Sequence, residues 1–321
     1  MGLSSAGAGI VAAVVTVLAT PLVMLLARRA GVLDWPGPLK PHAAPVPYLG
    51  GLAIFCGVAV SLVGTPRPLV LVPLAGALVL GLLDDITSLP VLPRLLAEVG
   101  IGASVAWSVG LDLSVAGAVV VVATVVLVNA VNFVDGIDAL ATGACVVTFL
   151  GFTVVLDLGR APVAAAFAGA AAGFLVFNRP PARIYLGDAG SYLLGTSLAL
   201  LAAAHVGDRH DTWTGSGLDL AVTIALVGYP IVEVVSTVAR RLISRRPLFA
   251  GDRDHVYDRM VRRGFSTRGA VALLLGAQSV VVALAVAADA LAELVAGVAV
   301  ASLVAATTVL ASLRSLTGPR Q

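Results

Sequence analysis

The chain has 321 residues, 59% of them hydrophobic and 12% charged, with a mean hydropathy of +1.02 and a formal net charge of +2. So apolar a composition excludes an ordinary soluble globular protein. So small a net charge excludes an overall basic field of the kind that gathers nucleic acid. The expected fold class is an all-α integral membrane protein.

No positive residue precedes the first apolar run, while Arg28 and Arg29 follow it. That order argues against a cleaved signal peptide and puts the N-terminus outside. Eleven uncharged or nearly uncharged runs follow one another: 7–27, 50–64, 69–83, 95–111, 113–134, 139–156, 161–178, 189–207, 220–239, 269–288 and 294–313. The runs 50–64 and 69–83 are shorter than the roughly 20 residues that cross the hydrocarbon, so each borrows flanking residues, with the Pro66/Pro68 corner making them a hairpin. Eleven alternating spans place 17 of the 20 basic residues inside and only Arg67, Arg160 and Arg209 outside, as the positive-inside rule asks. Cys56 and Cys145 lie in apolar runs, far apart, and read as small buried hydrophobes. With no repeat and no soluble segment, residues 1–321 read as one transmembrane domain.

The inside segments are long, and long polar loops on packed helices are where function usually sits. The first, from Asp34 to Gly51, holds five prolines and is therefore stiff and extended. Lys40 and His42 within it are either the polar edge of a rigid connector or groups held toward an anion. Asp84 and Asp85 close the run 69–83. Adjacent helical residues point about 100° apart, so the two carboxylates suit different tasks.

The most unusual stretch is N-A-V-N-F-V-D-G-I-D, with Asn129, Asn132, Asp135 and Asp138 at intervals of three. A spanning helix that carries amides and carboxylates to one end marks a ligand site. In a continuous α-helix each step turns the side chain by about −60°. A helix that tightens or unwinds after Asn132, eased by Gly136, would bring all four together. Close carboxylates repel unless a cation joins them, and Mg²⁺ held by one or two carboxylates plus substrate phosphates suits such a place. Downstream, Asp188 lies between Gly187 and Gly190 at the start of a run, as an N-cap, a metal ligand or both. In the last long loop, D-R-D-H-V-Y-D sets Arg253 and His255 among Asp254 and Asp258, a set suited to a polar ligand.

Five motifs in order, K-P-H-A-A-P-V-P-Y-L-G-G (40–51), G-L-L-D-D-I (81–86), N-A-V-N-F-V-D-G-I-D-A-L-A (129–141), R-I-Y-L-G-D-A-G-S (183–191) and the D-R-D-H-V-Y-D loop, resemble those of the polyprenyl-phosphate N-acetylhexosamine-1-phosphate transferases. The resemblance covers Asp34 to Gly264. It implies transfer of a sugar-1-phosphate, GlcNAc-1-phosphate first among the candidates, from a UDP-sugar to undecaprenyl or another polyprenyl phosphate, for cell-envelope polysaccharide. It implies Mg²⁺, or Mn²⁺ in its place, held by Asp188 with Asp84 or Asp85, the other of the pair serving the lipid phosphate. Asn129, Asn132, Asp135 and Asp138 would line the nucleotide side; Lys40, His42, Arg253 and His255 would meet phosphate or sugar. It implies a multi-pass plasma-membrane enzyme with a cytoplasmic active site and membrane lipid around it, and it admits a homodimer.

The chain departs from the family pattern at Ser88, where many members carry a third acid, at Glu233, where Asp is common, and at Ala139, where Gly is usual. Its last loop keeps only His255 of several histidines, which bears on the sugar more than on the reaction. The alternatives are a phospho-MurNAc-pentapeptide or other N-acetylhexosamine donor, a membrane transporter, and a CDP-alcohol phosphotransferase, whose later aspartates are absent after Gly143.

Overall fold

The computed structural model describes residues 3–37, 44–63, 68–111, 114–208, 217–247 and 254–291. Lys40, His42, Arg253 and the run 294–313 lie outside them. Helices occupy the other ten apolar runs: α1 (Ser5–Ala30), α2 (Gly50–Ser61), α3 (Leu71–Thr87), α4 (Val91–Ser108), α5 (Val115–Val134), α6 (Leu140–Val155), α7 (Ala161–Asn178), α8 (Gly187–Asp208), the pair α9 (Gly217–Leu226) and α10 (Gly228–Ile243), and α12 (Thr267–Ala290). A short α11 (Val256–Arg262) lies in the last loop, and two-residue strands β1 (Leu33–Asp34) and β2 (Val46–Pro47) pair antiparallel. Five helices are long and apolar enough to cross a membrane, or six if the bent pair α9–α10 is one span. The chain is an all-α membrane protein.

Amphipathicity here means lipid-facing against protein-facing. Ile10, Val14, Leu18 and Leu22 on α1 are exposed, whereas Ala8, Ala12, Thr16 and Thr20 are buried. The buried face is small because α1 lies directly on α7 and α2: a Cβ on Gly169 would collide with the Gly9 carbonyl, and one on Gly57 with Thr16. Lipid tails are as apolar as leucine, so close van der Waals packing of small residues, not hydrophobic burial, holds such helices together.

α8 is the hub. It packs against α2, α3, α4, α5, α6 and α9, and nearly all of its residues are buried. Its N-terminal end carries the acid-bearing motifs, and its C-terminal end lies on the opposite side of the bundle.

The run 220–239 is not one straight helix. It breaks at Val227, where α9 and α10 meet at 79°. The break frees backbone groups that lipid cannot satisfy, and neighbouring side chains take them up. The Leu226 carbonyl accepts from Thr148 Oγ1 (2.8 Å) and Gln278 Nε2 (2.8 Å), and the Tyr229 N–H donates to Gln278 Oε1 (3.1 Å). Thr148 on α6 and Gln278 on α12 are both buried, and nothing in the local sequence of 220–239 announces them.

Candidate active site

The site assembles around the first turn of α8. The left-handed Gly187 (φ 72°) turns the chain into the helix, and a side chain there would meet the Asp85 carboxylate. Asp85 reaches across from α3, accepting the N–H groups of Asp188 (2.9 Å) and Ala189 (3.1 Å). The helix start expected to be capped by Asp188 is therefore capped by Asp85, and the positive end of the α8 dipole meets that carboxylate. Asp188 itself accepts from Asn132 Nδ2 (2.5 Å), which also contacts Ser191 Oγ (3.1 Å).

Asp84 faces elsewhere. Its two oxygens accept from the Leu89 N–H (2.8 Å) and the Tyr192 hydroxyl (2.5 Å), with the Arg94 guanidinium 3.7 Å away. Arg94 also approaches Glu98 (3.6 Å), which receives Asn129 Nδ2 (2.6 Å). The neighbouring carboxylates thus have separate partners, as 100° of helical rotation requires.

The four polar residues at intervals of three do not converge. α5 stays helical to Val134, so Asn129 is carried toward α4 while Asn132 faces α8. Unwinding begins only at Asp135. Burial first, then the charges of Asp188, Asp85 and Asp138, push the Asp135 carboxyl well above the usual carboxylate range. Asp138 accepts the Ala182 N–H (2.8 Å) and so ties this turn to the 179–186 segment. Gly136 matters for space: a Cβ there would collide with the Tyr257 hydroxyl. Ala139 adopts the left-handed φ of 70°, the conformation that glycine takes without strain, and its N–H donates to Asn178 Oδ1 (3.1 Å).

The remaining motifs close on the same place. Gly50 and Gly51 donate to the Tyr185 (3.1 Å) and Leu186 (3.2 Å) carbonyls, Tyr185 N–H donates to Pro47 O (2.9 Å), and the Tyr48 hydroxyl donates to the Asp85 carbonyl (3.0 Å). From the last loop, Tyr257 donates to the Phe133 carbonyl (3.4 Å) and stacks on His255 at 5.3 Å. His255 Nδ1 lies 2.8 Å from the buried Glu233. Asp254, in contrast, is enclosed by Arg259 (2.9 Å), Arg262 (2.6 Å) and Arg240 (3.3 Å). Burial raises its carboxyl, but Arg259, then Arg240 and the Arg262 bond, outweigh it and leave it below the ordinary value.

Sequence reasoning did not single out Tyr192, Glu98, Asn178 or Arg241 for the site. Arg241 is buried, with its guanidinium 5.4 Å from the Phe133 ring centre. Glu98 is a lone charged residue in an apolar run, which only its intramembrane cost could have marked, whereas Arg241 follows Arg240 and reads as positive-inside charge.

The cluster of Asp85, Asp135 and Asp188 offers oxygen donors only, the set a hard divalent cation prefers. Among the described residues these carboxylates do not bring three ligand atoms within 4.8 Å of one another.

A profile of the family described as "Glycosyl transferase family 4" matches residues 68–205. The chain is similar to the decaprenyl-phosphate N-acetylglucosaminephosphotransferase of Mycobacterium tuberculosis, 32% identical over 315 residues, which spans 83% of this chain and 78% of the relative. It is also similar to the probable undecaprenyl-phosphate N-acetylglucosaminyl 1-phosphate transferase of Bacillus subtilis (28% identical; 83% of this chain, 79% of the relative). A third relative is the undecaprenyl-phosphate alpha-N-acetylglucosaminyl 1-phosphate transferase of Thermotoga maritima (29% identical; 76% and 78%). With its five motifs joined around one helix start and relatives of this kind along most of its length, the chain belongs to glycosyl transferase family 4, among the polyprenyl-phosphate N-acetylhexosamine-1-phosphate transferases.

Proposed function

We propose that this protein transfers GlcNAc-1-phosphate from UDP-GlcNAc to a polyprenyl phosphate, releasing UMP and leaving a lipid-linked sugar diphosphate for cell-envelope polysaccharide. The observation that carries the reading is the continuous set of contacts joining Tyr48, Asp85, Asp188, Asn132, Phe133 and Tyr257. These contacts bring four motifs far apart in sequence, and with them the last loop, to one helix end. In the reaction, an oxygen of the lipid phosphate forms a bond to the β-phosphorus of the donor, and the bond from that phosphorus to the bridging oxygen breaks, UMP carrying the electron pair away. A phosphate monoester has its second pKa at about 6, so the nucleophile is already an anion at neutral pH. Positioning and charge neutralisation are then the main tasks of the site.

Asp188, Asp85 and Asp135 would hold Mg²⁺, which when bound supplies positive charge to the diphosphate oxygens. Asp84, which meets Leu89, Tyr192 and Arg94 while Asp85 meets the same helix turn as Asp188, is a positioning residue that fixes the start of α4 against α8. Asn132 orients Asp188, and Asp138 anchors the turn that presents Asp135. On the sequence resemblance alone, Lys40, His42, Arg253 and His255 would meet phosphate or sugar.

Eleven spans across residues 1–321, as one transmembrane transferase domain with the N-terminus outside, put this site on the cytoplasmic face of the plasma membrane. The basic residues support that orientation, because 17 of 20 then fall inside. Exposed Leu83, Ile86, Leu92 and Leu96 beside Asp84 and Asp85 suit a polyprenyl tail arriving from the bilayer. The test is UMP release and lipid-product formation by the purified protein with Mg²⁺, undecaprenyl phosphate and a panel of UDP-sugars. Product from UDP-GlcNAc that requires both lipid and Mg²⁺ is expected. UMP release that ignores the lipid, or product only from another donor, would reject the assignment.

A further inference from the structure

Where α8 ends, at the opposite end of the bundle from Asp188, a second polar group is buried. His205 (1% exposed) lies one turn before the end of α8, Asp219 (2%) in the first turn of α9, and Asp289 (10%) in the last turn of α12. His205 is 17 residues beyond Asp188, roughly 25 Å at 1.5 Å per residue. One ligand atom from each of the three residues lies within 4.8 Å of the other two.

The hydrogen bonds decide which nitrogen of His205 faces the two acids. The Thr223 hydroxyl donates its single proton to the Asp219 carbonyl (2.7 Å), so its 2.9 Å contact with His205 Nδ1 has the ring as donor. Nδ1 therefore carries hydrogen, and in a neutral imidazole Nε2 presents its lone pair. Nε2 lies 3.8 Å from Asp289 Oδ1. That is beyond hydrogen-bond length, yet it fits two atoms each about 2.0–2.2 Å from one shared ion, which sit roughly 3–4 Å apart. A ligating histidine whose other N–H is fixed by an oxygen is the usual arrangement around such ions. The Phe152 ring approaches His205 edge-on at 6.3 Å, so the ring has an apolar wall. Two carboxylates, one neutral imidazole and a divalent cation make a unit without net charge, the form in which such groups are least costly to bury.

We propose that His205, Asp219 and Asp289 bind one divalent transition-metal ion of the zinc class, which fastens α8, α9 and α12 together at this end. Mixed imidazole and carboxylate donors select that class over Mg²⁺, which favours oxygen alone. The ion would hold α9 in place just before the break at Val227.

The test uses full-length protein in detergent, freed of any affinity tag and stripped of metal, with Zn²⁺ titrated against a chelating indicator in a large excess of Mg²⁺. Wild type is expected to take up one Zn²⁺ per chain and to unfold at a higher temperature with it. His205→Gln and Asp289→Asn should lose both effects, while Asp188→Asn keeps them; UMP release by the first two shows that they have folded. Uptake by neither wild type nor variants, or equal uptake by all, overturns the proposal. Zinc X-ray absorption on wild type decides without any variant: a shell of nitrogen and oxygen at roughly 2.0–2.2 Å is expected, and a sulfur shell would move the ion to a cysteine and refute the assignment.

Discussion

The two ends of α8 use the same residue types for different purposes. At the N-terminal end, Asp188 is tied to Asp85 and Asn132 from two other helices, and charge gathers where backbone N–H groups point outward from a helix start. At the C-terminal end, His205 and Asp219 are buried and Asp289 is half-buried among three helices, with Thr223 bonded to both His205 and the Asp219 carbonyl. On the assignments proposed above, the first geometry would leave coordination for a substrate to complete, and the second would hold its ion with protein groups. On those assignments, whether a carboxylate cluster leaves room for a ligand would separate a catalytic end from a structural one.

Substitutions that should break this contrast can be ranked. The largest effect among the residues around Asp188 is expected at Asp85, which meets the two leading N–H groups of α8: Asp85→Asn should lower kcat/KM for UMP release by about 10²–10³-fold. Asp84→Asn, at a carboxylate that meets Tyr192, Leu89 and Arg94 among the described residues, should cost about 10–100-fold, the usual range for a residue that orients another. A greater loss at Asp84 than at Asp85 would reverse the roles assigned to them. Gln278→Leu leaves the Tyr229 N–H without its acceptor and removes one of two donors to Leu226 O. Denaturation should show a loss of about 2–3 kcal/mol, with kcat unchanged in the folded fraction. The smallest effect is a gain: Ala139→Gly relieves a left-handed alanine and should stabilise by about 1 kcal/mol.

A pH dependence sharpens the same comparison. Asp135 has its folded-state pKa raised, so the cation-free fold retains a proton there above the ordinary carboxylate range. A bound cation displaces that proton, so affinity must climb as pH rises toward the raised value. Thermal protection by sub-saturating Mg²⁺ should therefore increase as pH rises above the ordinary carboxylate range. Protection that weakened as pH rose would remove Asp135 from the cation site.

Much of this was legible in the chain because membranes restrict what helices can be. The apolar runs marked where helices form, and the acids at their ends marked which end of the bundle would be polar. Asp84 and Asp85 were separable from helical rotation alone. What could not be read were the partners supplied from a distance. Nothing near Val227 reveals that Gln278, 51 residues on, will satisfy a broken helix. The convergence expected of Asn129, Asn132, Asp135 and Asp138 failed because helical hydrogen bonding persisted to Val134; the turn was placed by Tyr257 packing over Gly136 and by Asp138 holding Ala182, contacts outside any local window. His205, Asp219 and Asp289 are separated by 14 and 70 residues, so no spacing motif could have linked them.

The central claim is that Asp188, at the start of α8, carries the cation-dependent transfer. Its most direct measurement is the rate of Mg²⁺-dependent UMP release from UDP-GlcNAc and polyprenyl phosphate by Asp188→Asn, in protein whose thermal unfolding matches wild type. A fall of about 10³-fold or more is expected, corresponding to about 4 kcal/mol of lost transition-state stabilisation; release at the wild-type rate would contradict the account.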